Sequence, residues 1–210
     1  GPRLRRDVPR ILKKLVDDGV LLEDHGEFNL QTRESSEWEK DYRNRVTRIQ
    51  ASEHEVAQQR DALLRDGLQQ AIRGVKVNQG QSKTPRQIAM HFSDDPPPPG
   101  GTDVQVWVRD GWSVSEKAVL DSARSAGQES PTVFVFVPKK GAEDLNRAIT
   151  QVKAAQDVLN EKGVPATDAG REARSAMQTR LEHAEATRAK LVRELIDSAR
   201  VLKGGGQELH

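Results

Sequence analysis

A chain of 210 residues has room for one large domain or two small ones. Its 33 Lys and Arg stand against 32 Asp and Glu, a formal charge of +1, so whole-chain charge selects no polyanionic partner and only local clustering can. The absence of cysteine excludes a disulfide scaffold, a thiolate nucleophile and any Cys-ligated zinc or iron–sulfur centre. Hydrophobic residues make up 35% and charged residues 31%, and mean hydropathy is −0.74. That is lean for one compact globule and typical of long, solvated helices attached to a small core. The longest apolar run, residues 132–138, is too short to span a bilayer, and no signal peptide is visible. No membrane partner is expected.

Gly1-Pro2 reads as a protease-cleavage scar, and the chain is expected to be a piece excised from a longer protein. Over residues 7–18, Val8, Ile11, Leu12, Leu15 and Val16 fall at helical spacing, with Asp7 as N-cap or first-turn acid and Gly19 as the C-cap. Val20, Leu22, Phe28 and Leu30 flank Asp24-His25-Gly26-Glu27, the pattern of a β-hairpin. A helix followed at once by a short hairpin is the last half of a winged helix; a generic αββ unit fits the same pattern. Ser35-Ser36-Glu37-Trp38-Glu39 opens the next helix, and nothing breaks it before Gly67. Tyr42, Ile49, Val56 and Leu63 recur every seven residues, a narrow apolar seam on one long helix running to about Arg73.

From residue 75 the character changes. Short strands are expected at Val75-Lys76-Val77 and Ile88-Ala89-Met90-His91-Phe92, followed by the stiff connector Asp95-Pro96-Pro97-Pro98-Pro99-Gly100-Gly101. Val104, Val106 and Val108 alternate with Gln105, Trp107 and Arg109, marking a strand with two different faces. Residues 113–126 read as a helix, with Ser113 as its N-cap and Glu116 completing a capping box. Thr132-Val133-Phe134-Val135-Phe136-Val137 is apolar on both faces and should be a central, doubly covered strand, parallel to the strand at 104–109. Beyond Ala142 two helices are expected, the first lined by Leu145, Ile149, Val152 and Leu159, the second by Met177, Leu181, Ala184, Leu191, Leu195 and Leu202. The glycine run at 204–206 would end the second. The fold class is therefore α+β. A partial winged helix spans residues 1–33 and a long connecting helix 34–74. A small mixed α/β module follows over 75–141, and an antiparallel helical hairpin over 142–210.

No catalytic residue is expected. Gln79-Gly80-Gln81-Ser82-Lys83-Thr84 has one glycine and a following Pro85 where a Walker A loop needs two glycines and a helix, so it reads as a polar loop. The five histidines have no metal-ligand spacing, and no metal is expected. Ser113 lacks the second glycine of a nucleophile elbow. Two electrostatic features stand out. Arg109, Lys139 and Lys140 lie at the C-terminal ends of the strands, where open α/β sheets place ligand groups, and form a candidate anion site. Arg3, Arg5, Arg6, Arg10, Lys13 and Lys14 are opposed only by Asp7 over residues 1–14, a candidate DNA contact, while the acids of the hairpin tip would repel phosphates.

Several strings resemble the P-loop ATPase of BREX phage-exclusion systems, of the BrxC/PglY type. They are Gln79-Gly80-Gln81-Ser82-Lys83-Thr84-Pro85-Arg86, and His91-Phe92 with the proline run. Val106-Trp107-Val108-Arg109-Asp110-Gly111-Trp112-Ser113-Val114-Ser115-Glu116-Lys117, Ser130-Pro131-Thr132-Val133-Phe134-Val135-Phe136-Val137-Pro138, Gly170-Arg171-Glu172-Ala173-Arg174 and Ala199-Arg200-Val201-Leu202-Lys203-Gly204-Gly205-Gly206 also match. The resemblance implies a cytoplasmic bacterial phage-defence protein. Its expected partners are the other BREX subunits, a DNA methyltransferase among them. It implies ATP and magnesium bound by Walker motifs elsewhere in the full protein, with no cofactor in this stretch. Three functions are weighed: a non-catalytic interaction region, a DNA-binding module on the basic N-terminal helix, and an enzyme of nucleotide or nucleic-acid chemistry using Arg109, Asp110, Lys139 and Lys140. Narrow apolar seams add self-association to the expected partnerships.

Overall fold

The chain folds into helices and short strands over the residues that the computed structural model describes, 2–18, 20–24, 27–30, 32–98 and 100–209; the side chains of residues 2–6, 22, 24, 27, 29, 30 and 79 lie outside that set. In order these are α1 (Pro2–Asp17), β1 (Leu21–Asp24), β2 (Glu27–Leu30), α2 (Arg33–Ala51), α3 (Glu53–Ala71), β3 (Val77–Gln79), β4 (Thr84–Arg86), β5 (Ile88–His91), β6 (Val104–Asp110), α4 (Glu116–Ala126), β7 (Val133–Val137), α5 (Ala142–Lys162), α6 (Asp168–Asp197), β8 (Arg200–Leu202) and β9 (Glu208–Leu209). The fold class is α+β. Two compact units emerge, one from residues 1–56 and 147–187, the other from residues 57–146 and 188–210.

In the first unit, α1 runs through Pro9, which has no N–H and forfeits one intrahelical bond. The strands β1 and β2 pair antiparallel with Leu21 opposite Leu30 and Asp24 opposite Glu27. The turn residues His25 and Gly26 lie outside the described residues. Helix α2 starts two residues before the sequence pattern places it, because the Thr32 hydroxyl caps it by accepting from the Ser35 N–H at 3.0 Å.

The single helix expected over residues 34–74 is two helices. Ser52 adopts φ −97° and ψ 72°, donates its N–H to the Ile49 carbonyl and accepts from the N–H groups of Glu55 and Val56. Serine competes for backbone partners and favours helix ends, and Glu53 and Glu55 then suit the first turn of α3. Trp38, Tyr42, Ile49 and Val56 are buried here, as are Ala148, Ile149, Val152, Ala154, Ala155, Val158 and Leu159 of α5 and Ala173, Met177 and Ala184 of α6.

Around this apolar core lies a ring of ion pairs. Arg180 Nη1 donates to Glu39 Oε2 at 2.6 Å and stacks 4.6 Å above the Tyr42 ring. Arg43 Nε reaches the other Glu39 oxygen at 2.7 Å. Arg45 bridges Asp41 and Glu161, and Lys162 lies over Trp38 at 5.6 Å.

In the second unit, β5, β6, β7, β8 and β9 form one sheet in that order, parallel from β5 to β7 and antiparallel from β7 to β9. The parallel register sets Trp107 beside Phe134 and Arg109 beside Phe136. The apolar strand β7 is central, as its two-faced pattern predicts. On one face Trp107, Phe134, Phe136 and Leu202 pack against Val119 and Ala123 of α4, with Trp107 and Phe134 edge-to-face at 5.7 Å. On the other face Val106, Val108, Val135 and Val137 are equally buried. The connection from β5 to β6 is the proline strap, residues 92–103, in place of a helix.

A separate hairpin, β3–β4, carries residues 80–83 in its turn. Lys83 there has φ 50°, and Pro85 continues as a strand residue opposite Asn78, so no helix follows.

The strands β8 and β9 replace the expected helix end and glycine stop. Helix α6 finishes at Asp197, and Leu202 belongs to the sheet core instead of a helical seam. Gly205 and Gly206 have φ of 82° and 81° and turn the chain between antiparallel strands. Gly204 is small for another reason. A Cβ there would fall on the Gly127 carbonyl oxygen and within 2.7 Å of Ser130 Cβ.

Two consequences can be measured. Gly204→Ala should destabilise the second unit by roughly 1–3 kcal/mol in urea unfolding, the usual cost of overpacking against backbone. In the first unit, burial would raise the Glu39 carboxyl, but the Arg180 and Arg43 guanidinium groups outweigh it and hold the group below the ordinary value of 4.5. Folding therefore gains from Glu39 above that value and loses the gain as pH falls through its lowered folded pKa. Glu39→Gln should flatten this acid limb of stability, and an unchanged limb would show that the pair contributes nothing.

Candidate functional site

Two places concentrate charge and unfilled surface. The first is α1. At 3.6 residues per turn, Val8, Ile11, Leu12, Leu15 and Val16 share one face, and Arg10, Lys13 and Lys14 share the opposite one. Leu12, Leu15 and Val16 are half-buried, whereas Val8 and Ile11 remain 45% and 51% exposed. Val20 and Phe28 of the hairpin segment are also exposed. Arg10 keeps a long contact to Asp7 at 3.7 Å and is otherwise in water, and Lys13 and Lys14 are exposed. The side chains of Arg3, Arg5 and Arg6 lie outside the described residues. So the structure sets Arg10, Lys13 and Lys14 in one row of the helix, away from its apolar side.

The second place is the C-terminal edge of β5, β6 and β7. A cleft of about 180 Å³ opens there, with Phe92, Val108, Val137, Leu64 and Leu68 as its apolar walls and Asp61, Arg65, Asp94, Arg109, Asp110 and Ser113 as its polar ones. Arg109 is 7% exposed, on the strand face it shares with Trp107. Its Nη1 donates to the Ser93 carbonyl and to Asp94 Oδ1, both at 2.8 Å, and its guanidinium lies 5.8 Å from the Trp107 ring. Trp107 Nε1 donates to the same Ser93 carbonyl at 3.0 Å, so the strap is pinned to β6 at one atom by two donors. Arg109 Nε is buried with no hydrogen-bond partner. Two further guanidinium groups lie over aromatic rings, Arg60 over Trp112 at 4.5 Å and Arg65 over Phe92 at 5.0 Å.

The loop after β6 is built tightly. Asp110 Oδ1 accepts from the N–H groups of Trp112 and Ser113, and the Ser113 hydroxyl bonds back to Asp110. Ser113 is thus committed to closing the strand, and the N-cap of α4 is Ser115, whose hydroxyl accepts from the Ala118 N–H at 3.2 Å. The N-cap lies two residues beyond the expected one because the Asp110 side chain claims Ser113, and with Ala118 at the third helical position no capping box forms. Gly111 donates to the Val137 carbonyl at 2.9 Å, and a Cβ on it would lie 2.7 Å from the Lys139 nitrogen.

The three residues of the expected anion site do not share one cleft. Arg109 lines the cleft just described. Lys139 is exposed, with its backbone against Gly111. Lys140 lines a separate groove with Asp144, Glu194 and Asp197. Sequence reasoning passed over Asp94, which pairs with Arg109, and Arg65, which lies over Phe92 and lines the same cleft. His91 is tied to Gln105 at 2.5 Å across the β5–β6 pair, and His54 and His183 are exposed. Among the described residues no group of three or more His, Asp or Glu side chains could hold a metal ion, and no helix is long and apolar enough to cross a membrane. Comparison with family models, curated proteins and solved structures finds no match to this chain.

The capping assignment has a direct check. Ser115→Ala should cost about 1 kcal/mol of stability, the typical value of a lost N-cap, and Ser113→Ala should cost clearly less. Equal losses would return Ser113 to the cap.

Proposed function

We propose that this chain is a non-catalytic interaction region of a bacterial anti-phage BREX ATPase, positioning that enzyme against partner subunits, the DNA methyltransferase among them. The supporting observation is the surface of α1 and its hairpin, where Val8, Ile11, Val20 and Phe28 stay in water on an element too small to cover them itself. Exposed apolar side chains beside exposed cations are the kind of surface a docking protein buries. The helix–hairpin order supports reading residues 1–33 as part of a winged helix, and the BREX-like strings named above supply the family. In that reading the protein is cytoplasmic, and the ATP and magnesium sites belong to other parts of the full protein.

A DNA-binding module is the second reading, favoured by the row Arg10, Lys13 and Lys14 on the opposite side of the same helix. The two readings separate in one pair of assays. With purified BREX subunits, co-elution on size exclusion should be lost in the Val8→Asp, Ile11→Asp double variant and kept when Arg10, Lys13 and Lys14 are reversed to Glu. With a labelled nonspecific duplex, fluorescence anisotropy should show the reverse dependence if DNA is the partner. Affinity should then fall by about 10³-fold between 50 and 200 mM salt if some six bases contact phosphates. Absence of both effects would remove α1 from either role.

A further inference from the structure

We propose that the β3–β4 hairpin is a basic ribbon that enters the major groove of double-stranded DNA and meets its phosphates through Arg73, Lys76 and Lys83. From Gly67 to Ser93 the chain has no Asp or Glu, and the next longest acid-free stretch, residues 130–142, is about half as long. In a chain whose acids and bases nearly balance, the two signs separate here. Arg73, Lys76 and Lys83 are exposed, and among the described residues none of them has a carboxylate partner. Arg86 is committed differently: it donates to the Thr102 carbonyl and ties the ribbon to the strap. Lys76, Asn78, Arg86 and Gln87 are the polar residues lining the groove at the base of the ribbon, and no acid joins them.

The tip of the hairpin adds an independent observation. Lys83 is the one described non-glycine residue with a positive φ, at 50°. That backbone is costly for any residue with a Cβ, and glycine is its ordinary occupant. A lysine exposed there gains no packing in return, only a charge at the end of the ribbon. Residues 78–84 have no apolar side chain, so the hairpin lacks the buried anchor on which protein interfaces depend. It does offer Asn78 and Gln81, exposed amides of the kind that read base edges.

The dimensions agree. Paired strands lie about 4.8 Å apart, and the major groove of B-form DNA, about 12 Å wide, admits a two-stranded ribbon. A ribbon seated there has a phosphate backbone on either side, so cations at its base and tip need not share one face. The major groove of an A-form RNA duplex is too narrow to admit it. The hairpin belongs to the second unit, and its case does not rest on α1.

The test is fluorescence anisotropy of the whole chain with a labelled mixed-sequence DNA duplex, between about 50 and 200 mM salt. Each cation that meets a phosphate steepens the fall of log affinity with log salt by about 0.9. The triple variant Arg73→Gln, Lys76→Gln, Lys83→Gly should therefore have a slope shallower by about 2.7, which removes roughly 40-fold of the parent's loss of affinity over that range. Cations elsewhere contribute equally to parent and variant and cancel. Lys83→Gly alone should weaken binding at low salt while Tm holds or rises, because glycine takes φ 50° freely. An RNA duplex of the same sequence should bind less tightly than the DNA. All three positions are exposed, so circular dichroism should show each variant folded. A parent that binds no duplex at low salt overturns the proposal, as does a triple variant with the parent's slope or an RNA duplex bound as tightly as DNA.

Discussion

Parallel pairing of β6 with β7 is the constraint on which the second unit is built. Two parallel neighbours cannot be joined by a tight turn, so the chain must leave the sheet, cross one face and return. Helix α4 is that crossover, and it brings Val119 and Ala123 onto Trp107, Phe134 and Phe136. Such strands need cover on both faces, which is why valine fills the alternate positions 106, 108, 135 and 137. The same geometry collects three loop-bearing strand ends at one edge of the sheet. A charged side chain on either strand near that edge is then forced into apolar surroundings, and Arg109 is that side chain.

Keeping Arg109 there requires compensation. A guanidinium taken out of water costs several kcal/mol unless it is paired and hydrogen-bonded. The protein meets part of this with one carbonyl, one carboxylate and one aromatic face, all on elements close to β6. It leaves Nε unmet. The Ser93 carbonyl is shared with Trp107, so loss of the strap would strand two buried donors at once. The strap is therefore as much a part of the sheet core as a helix would be, though its described residues form no helix or strand and it has no apolar period to announce it.

Long-period features were legible in the sequence. The alternation at 104–109, the two-faced run at 132–137 and the helical spacing beyond 142 each correspond to an element whose type depends on many residues at once. What escaped depends on single side chains or on distant pairing. The break at Ser52 comes from one hydroxyl-bearing residue whose backbone bonds both ways, with neither glycine nor proline to mark it. The move of the α4 cap from Ser113 to Ser115 follows from competition by Asp110, which sequence spacing alone does not rank. Strands of three and two residues, such as β8 and β9, are too short to show a period of two, and Leu202 fits a helical seam equally well. Arg109 was visible as a cation on the strand face it shares with Gln105 and Trp107. Arg65 was not, because Phe92 reaches it only through packing of α3 beside the strand ends.

The helix α1 carries a different tension. Its apolar and basic rows lie on roughly opposite sides of one cylinder. A helix that merely packed inside its own domain would bury the first row completely, and a helix that merely solubilised the chain would have no need of the first row's exposed end. Residues Val8 and Ile11 lie toward the N-terminal half, beyond the stretch where Leu12, Leu15 and Val16 are half-covered. Cover for them must come along the apolar side, while the cations on the far side stay free to meet an anionic surface. A protein partner on one side and phosphate groups on the other are therefore geometrically compatible, and occupancy of one face leaves the charge of the other intact. Competition between the two readings is then a matter of affinity, not of space.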